Sequence, residues 1–330
     1  KESIKRNPVN DDDYFELAKI YLKFRKFKSA KNMLTRSIAL DPVNIEYHSA
    51  YANILYELEG AETAIGYLRN LLKQNRDNPK ILGDIAIYYY KNGQNLEFQE
   101  YKKRIEKLAS TDASFYEFLI YSAELDDRDD DVIKYGKELI KINPGDLDVQ
   151  IKLGKSLYDK GLYKEALNMF ESILARLASF PRANYFLAKT YLKLKNIKKA
   201  TEMAEKEVKN NPTLEFGYFI LGEVYRIQKK YREAELNFKR SISKNGRYVE
   251  ALMGMGWIKW KQGYLDRARE YYLKALKENQ NNGEIHRALG YIYKEIGQSS
   301  LAIDSFRVYL DLTPAAKDRS QIQNLMKSLR

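Results

Sequence analysis

The sequence predicts an all-α fold built from tandem helix hairpins. Three observations lead to this prediction. The chain repeats with a period of 34 residues counted from Asp11, apolar residues recur at helical spacing in two segments of each repeat, and glycine or proline falls where each segment would end. One such hairpin cannot bury its own apolar face, whereas a stack of hairpins can.

Position 20 of the repeat gives the clearest column. In a frame that starts at Asp11 and advances by 34, alanine occupies this position in seven of nine repeats: Ala30, Ala64, Ala166, Ala200, Ala234, Ala268 and Ala302. Position 8 is small in eight of the nine repeats, as at Ala18 and Gly222. Small side chains at both positions allow two helix backbones to approach closely, so the columns indicate two helices that pack against each other.

The two helices of each repeat follow in order. Apolar residues at positions 4, 7, 8 and 11 share one face of a first helix, and those at 20, 24 and 27 share one face of a second. Position 15 is glycine at Gly93, Gly161, Gly263 and Gly297, which ends the first helix in a left-handed conformation. Position 32 is proline at Pro42, Pro144, Pro212 and Pro314, which cannot continue the second. Pro79 and Pro181, at position 1, are predicted to lie in the first turn of a helix.

These columns resemble the tetratricopeptide repeat (TPR) family. The fullest matches are the repeat with Leu153, Gly154, Gly161, Ala166 and Phe170, and the repeat with Leu289, Gly290, Tyr293, Gly297, Ala302, Phe306 and Pro314. The resemblance implies a right-handed superhelical solenoid whose first helices line a concave inner surface. The tryptophan that the family carries at position 4 is absent from every repeat.

The third and fourth repeats depart from the family pattern. Phe98 and Val132 replace the alanine of position 20, and Lys102 and Gly136 replace the aromatic residue of position 24. We therefore expect looser or altered packing in these repeats.

The period also predicts the domain organisation. A polar lead-in covers 1–10, and a terminal amphipathic helix with Ile322, Leu325, Met326 and Leu329 covers 317–330 as a cap. Because the chain begins with Lys1 and not with methionine, we expect a mature form or an excised segment. Nine TPR units are predicted between lead-in and cap: 11–44, 45–78, 79–112, 113–146, 147–180, 181–214, 215–248, 249–282 and 283–316.

Little in the sequence indicates catalysis, and we predict no enzyme, no catalytic residue and no cofactor. The chain contains no cysteine, no phosphate-binding glycine-rich loop, no dinucleotide fingerprint and no nucleophile elbow. His48 and His286 both occupy position 4, where we expect them to pack between helices. No apolar run approaches the roughly 20 residues of a membrane-spanning helix. The absence of cysteine leaves cytoplasm and periplasm open, with the cytoplasm favoured.

One acidic segment has the spacing of a calcium loop. Asp127, Asp129, Asp131 and Glu138 would fill positions 1, 3, 5 and 12 of such a loop. Val132 replaces the glycine that the loop requires at position 6, and in the repeat it belongs to the core of a second helix. The sequence therefore favours a helix here, and we predict no metal site.

The charge of the chain suggests one alternative function. Its net charge is +12, and the sixth, seventh and eighth units carry +5, +4 and +2. A basic stretch of this kind is compatible with a polyanion, either nucleic acid or an anionic membrane surface. Many of these cations belong to turns and second helices, where solvation of the outer face is a sufficient explanation for them. No nucleic-acid motif accompanies them. A further alternative is a regulatory segment of a larger protein.

The strongest candidate site lies on the stripe of positions 2, 5, 9, 12 and 13 of the first helices, which the resemblance places on the concave surface. Eleven of its 45 positions are aromatic, against about six expected from the 13% aromatic content of the chain. Aromatic and arginine side chains dominate the energetics of protein interfaces. We predict a protein–protein interaction scaffold that binds an extended or helical segment of another protein in this groove. Its predicted contact residues are Lys155, Tyr158, Tyr185, Lys189, Phe219, Arg226, Trp257, Trp260 and Tyr291.

Overall fold

A computed structural model describes residues 10–108 and 112–329, and in these ranges every regular element is an α-helix. The predicted all-α fold is therefore confirmed. The predicted lead-in lies outside the described residues except for Asn10, whose side chain caps the first helix by accepting a hydrogen bond from the Asp12 N–H at 3.1 Å. No helix of the described part is both long and apolar enough to cross a bilayer.

The helices alternate with short turns along the chain. The first nine are α1 (Asp11–Lys23), α2 (Phe27–Leu40), α3 (Ile45–Glu59), α4 (Ala61–Gln74), α5 (Pro79–Lys91), α6 (Asn95–Glu106), α7 (Ala113–Leu125), α8 (Asp129–Ile142) and α9 (Leu147–Asp159). The remaining ten are α10 (Tyr163–Arg176), α11 (Ala183–Lys193), α12 (Ile197–Asn210), α13 (Glu215–Ile227), α14 (Tyr231–Lys244), α15 (Val249–Lys261), α16 (Leu265–Glu278), α17 (Gly283–Ile296), α18 (Ser299–Leu312) and α19 (Arg319–Ser328).

Two compact units divide the chain between Ser156 and Leu157, inside α9. The sequence predicts one uninterrupted array, so this division is a finding that the period does not give. Within each unit, leaving aside α9 in which the division falls, consecutive helices pair as hairpins and each hairpin packs on the next. The boundaries of the nine repeats remain a prediction.

The columns of small residues mark the places where helices meet. All seven alanines of position 20 are fully buried. At position 8, a Cβ added to Gly222 would lie 2.7 Å from Cε1 of Phe238, and one added to Gly290 would lie 2.5 Å from Cε1 of Phe306. The aromatic ring at position 24 of the second helix thus lies directly on the glycine of the first, which explains why position 8 is small.

The turns inside the hairpins adopt the left-handed conformation that the position-15 glycines predict. Gly93, Gly161, Gly263 and Gly297 have φ between 75° and 84°. The same position holds Arg25, Asp127, Lys195 and Lys229 in other hairpins, with φ between 51° and 60°. For residues with a side chain this left-handed conformation is unfavourable by roughly 1–2 kcal/mol each.

The prolines of position 32 follow the second helices as predicted, whereas one of the two prolines of position 1 is not where the sequence predicts it. α2, α8, α12 and α18 each end two residues before a proline. Pro79 begins α5, as expected. Pro181 does not begin α11, and this prediction is wrong: the helix begins at Ala183, after Arg182 with φ 71°, whose N–H donates to Oε1 of the buried Glu207 at 2.9 Å.

A recurring hydrogen bond joins consecutive hairpins. In four repeats the side chain at position 4 donates to the backbone carbonyl six residues earlier: Nε2 of His48 donates to Pro42 (2.9 Å) and Nε2 of His286 to Gln280 (3.0 Å). Gln150 and Tyr218 make the equivalent bonds at 2.9 and 3.3 Å. These polar side chains occupy the position of the family's tryptophan and connect neighbouring hairpins, so both histidines have structural partners.

The irregular third and fourth repeats have altered packing. Phe98 and Val132 are buried in place of alanine. The amine of Lys102, itself almost fully buried, donates to Oδ2 of Asp126 at 2.7 Å. That hydrogen bond holds the pKa of the Asp126 carboxyl below its usual value. Of the acidic segment with calcium-loop spacing, Asp127 lies in the left-handed turn before α8, whereas Asp129, Asp131 and Glu138 belong to that helix, as the repeat predicts.

The helix α19 lies where the sequence predicts a terminal cap. Ile322 is fully buried among Phe306 and Leu310 of α18. Two polar contacts fix the start of α19, because Oδ1 of Asp318 accepts from the Tyr309 hydroxyl at 2.6 Å and Oδ2 lies 2.9 Å from Nε of Arg287.

Candidate functional site

A groove of about 470 Å³ lies across the first helices α13, α15 and α17 of the second unit. Five of the nine predicted contact residues line it together: Phe219, Arg226, Trp257, Trp260 and Tyr291. The 34-residue period brings them together because equivalent positions of consecutive first helices lie side by side.

Trp257 forms one wall of the groove. The guanidinium carbon of Arg226 lies 5.0 Å from the centre of its ring system, and the amine of Lys261 lies 5.6 Å away. Arg226 itself is held by a bidentate pair with Glu223, at 2.9 and 2.7 Å. This pair raises the pKa of Arg226 and fixes the guanidinium against the indole.

Trp260 and Tyr291 form a second aromatic wall. Their rings stack at a centre-to-centre distance of 6.1 Å and an interplanar angle of 27°. The indole N–H of Trp260 donates to Oε2 of Glu295 at 2.9 Å, and Tyr291 meets the buried ring of Phe306 edge to face at 5.1 Å. Both side chains are half-buried and held in place, so they lose little conformational entropy when a ligand contacts them.

The groove has more carboxylates than free cations. Glu223, Glu250 and Glu284 line it together with two arginines. Arg226 is neutralised by Glu223, and Arg287 lies 3.2 Å from Glu284 and 2.9 Å from Asp318. Glu250 is exposed and has no ion pair with any described residue.

Several lining residues were not among the predicted contacts. Met253, Gly254 and Ala288 belong to the first helices, and Tyr272 reaches the groove from α16. The sequence held a signal for two of them. Position 6 is small in two successive repeats only once, at Gly254 and Ala288. At Gly254 the place of a side chain is taken by the buried ring of Phe238, because an added Cβ would lie 2.7 Å from Cε1 of that ring.

The other predicted contacts lie apart from this groove. The Lys189 amine lies 4.9 Å from the ring centre of Tyr158 and 5.5 Å from that of Tyr185. Both tyrosines are buried, and burial raises the pKa of Tyr185 to about 12. Their rings therefore contribute mainly to helix packing. Lys155 belongs to the first unit and is not among the residues that line the groove.

Known protein families and curated proteins resemble this chain. A tetratricopeptide repeat family model matches residues 15–79, 221–281 and 253–317, and a model for anaphase-promoting complex, cyclosome, subunit 3 matches 159–241. Anaphase-promoting complex subunit 3 of Schizosaccharomyces pombe is 24% identical over 38% of this chain and 19% of its own length. A TPR repeat-containing protein of Methanocaldococcus jannaschii is 23% identical over 98% of this chain and 56% of its own length. The antiviral innate immune response effector IFIT1 of Homo sapiens is 24% identical over 77% of this chain and 65% of its own length.

Solved structures share the fold at low sequence identity. The APC/C hetero-tetramer Cut9–Hcn1 has a TM-score of 0.62 at 16% identity, covering 99% of this chain and 57% of that chain. A monomeric IFIT1 mutant with Gppp-AAAA has a TM-score of 0.65 at 18% identity, covering 97% and 82%. The chain spans less than two thirds of the length of the three curated relatives described above.

Proposed function

The chain belongs to the tetratricopeptide repeat family, and from that premise we propose that it is a non-enzymatic scaffold that holds a segment of a partner protein in the groove of α13, α15 and α17. Proteins of this family and fold are typically scaffolds without catalytic activity. The observation that carries the proposal is the convergence of Trp257, Trp260, Tyr291 and Arg226 on one groove.

The physical reason is the small cost of binding at pre-positioned rings. Trp257 is held by Arg226 and Trp260 by Tyr291 and Glu295, so these large apolar surfaces lose little freedom when a partner covers them. Tryptophan, tyrosine and arginine are the residue types whose truncation most often weakens protein complexes by about 2 kcal/mol or more.

The charges of the groove favour a segment that contains a basic residue. Both arginines of the groove already have carboxylate partners, whereas Glu250 has none among the described residues. A lysine or arginine side chain of the partner would pair with Glu250, and an apolar neighbour in the partner would cover Met253 and Trp257.

Photo-crosslinking tests the location of the partner. The full chain, with a photo-reactive amino acid in place of Met253, is used to capture proteins from the native lysate, and the crosslinked segment is identified by mass spectrometry. The identified segment is then synthesised and titrated calorimetrically. We expect a segment with at least one lysine or arginine, whose affinity falls at least tenfold in Trp257→Ala/Trp260→Ala.

Two variants serve as comparisons. Tyr264→Ala removes an exposed ring outside the groove and should leave the affinity unchanged. Glu250→Lys should weaken binding of the basic segment, since it reverses a charge on an exposed side chain without altering the core. If Trp257→Ala/Trp260→Ala binds the segment as tightly as the unaltered chain and keeps its helicity, the groove is not the binding site.

A further inference from the structure

Two neighbouring turns of the second unit combine lysines with exposed aliphatic side chains. The turn between α11 and α12 and the turn between α13 and α14 belong to consecutive hairpins. A hydrogen bond of 3.3 Å from Nε2 of Gln228 to Oγ1 of Thr201 joins the second turn to α12. The two turns therefore lie side by side on one edge of the unit, about one helix-packing distance apart.

Both turns are strongly basic. Residues 193–199 contain Lys193, Lys195, Lys198 and Lys199 without a carboxylate, and residues 227–232 contain Lys229, Lys230 and Arg232, also without one. All seven cationic residues are exposed. Glu202, the first carboxylate after the first turn, is paired with Lys206 at 2.9 Å.

Each turn also exposes one aliphatic side chain. Leu194 follows the last residue of α11 and is 44% exposed, and Ile227 is the last residue of α13 and is 43% exposed. A single exposed apolar residue is ordinary, but here the two lie on neighbouring turns: Leu194 lies between Lys193 and Lys195, and Ile227 comes two residues before Lys229. Lysine beside an aliphatic tip is the composition that binds the boundary between anionic headgroups and acyl chains.

The backbone of both turns has the conformation that favours glycine, which Arg25 and Asp127 also adopt in the first unit. Lys195 and Lys229 stand at position 15 with φ of 58° and 60°, where Gly161, Gly263 and Gly297 serve other hairpins of the same unit. Glycine adopts this conformation without strain, whereas lysine does not. The turn geometry alone therefore favours glycine at both positions, and the lysines add charge at a cost in backbone energy.

We propose that these two turns form a docking edge for an anionic lipid bilayer, with the lysines at the headgroups and Leu194 and Ile227 inserted at the acyl boundary. This edge is separate from the peptide groove, and neither proposal depends on the other. RNA is a poorer ligand for it, because single-stranded bases are recognised by stacking on aromatic or arginine side chains, and of the seven cations only Arg232 is an arginine while both exposed apolar tips are aliphatic.

The test measures co-flotation of the full chain with vesicles of phosphatidylcholine and phosphatidylserine, with phosphatidylcholine vesicles as the neutral comparison. We expect binding to the anionic vesicles only, falling as salt is raised. Lys195→Gly/Lys229→Gly should weaken binding about fivefold per lysine removed. Because this variant also relieves the left-handed strain, it should melt no lower than the unaltered chain.

Two further variants separate the edge from general charge. Leu194→Ser/Ile227→Ser should weaken vesicle binding without changing the net charge. Lys239→Glu/Lys244→Glu changes exposed lysines later in α14 and should weaken binding less than Lys198→Glu/Lys230→Glu, which makes the same charge change at the edge. Equal losses from the two glutamate variants would overturn the proposal. So would an absence of vesicle binding, or binding of an RNA oligonucleotide that depends on the same lysines while vesicles do not bind.

Discussion

Substitution of Gly222 by alanine tests whether an aromatic ring sets the spacing of the hairpins. The added methyl group would lie 2.7 Å from Cε1 of the fully buried Phe238. The ring has no room to retreat toward α15, because a Cβ on Gly254 would also lie 2.7 Å from the same atom. Phe238 is therefore enclosed by two glycines.

The magnitude follows from two opposing effects. Overpacking in a closed core costs about 1–3 kcal/mol. Replacing glycine by alanine inside a helix gains up to about 1 kcal/mol of helix propensity. We expect Gly222→Ala to lower the free energy of unfolding of the second unit by about 1–2 kcal/mol. In the variant Gly222→Ala/Phe238→Leu the smaller side chain admits the methyl group, so the loss should be less than the sum of the two single losses.

Hydrogen exchange of α13–α15 measures this effect locally, and urea denaturation measures it for the whole chain. Gly66→Ala is the matched control, because Gly66 lies within α4 with no atom within 4 Å of an added Cβ, and this variant should gain stability from propensity alone. If Gly222→Ala stabilised the chain as Gly66→Ala does, or if the losses at Gly222 and Phe238 were simply additive, the ring would not lie against the glycine as described.

Three other predictions concern the core and the cap. Lys102→Met should be neutral or stabilising in urea denaturation, since it replaces a nearly buried charge at a position that is aromatic or leucine in six of the other eight repeats. Asp126→Asn should cost about 1 kcal/mol at neutral pH, a low value because Asp126 is more than one third exposed. As the pKa of Asp126 is lowered in the folded state, its contribution is present above the usual pKa of aspartate and disappears as the pH falls through the lowered value, so Asp126→Asn should flatten the acid limb of a pH titration of stability. Ile322→Ala should cost about 2–5 kcal/mol, seen as faster hydrogen exchange in α18 and α19, and unchanged exchange there would show that α19 does not cap the last hairpin.

Much of the fold was predictable because a repeat presents the same contact several times. The alanines of position 20 and the glycines of position 15 each recur, so the sequence alone predicts that the alanines are buried contacts and that the glycines form left-handed turns. Pro181 was placed wrongly because a single position has no such repetition. There the buried carboxylate of Glu207 accepts a hydrogen bond from the N–H of Arg182. The two residues are 25 apart in the sequence, so no local pattern predicts this contact.

The candidate site was predictable only in part, for a related reason. The first-helix stripe supplied Phe219, Trp257, Trp260 and Tyr291, since the period brings equivalent positions together. It did not distinguish rings that line the groove from rings such as Tyr185 that pack between helices, because both occupy the stripe. Tyr272 was missed since it belongs to a second helix and reaches the groove only past the small residues of α15.

The hydrogen bond from position 4 to the carbonyl six residues earlier affects how such a chain can gain or lose repeats. Donor and acceptor are always six residues apart in sequence, at His48, Gln150, Tyr218 and His286. Excision of 213–280, two full periods, would leave His286 six residues after Pro212, so the junction would re-form with a donor already adapted to it. Gain or loss of whole hairpins between two of these four junctions therefore preserves the bond, whereas an insertion of any other length within the six residues destroys it.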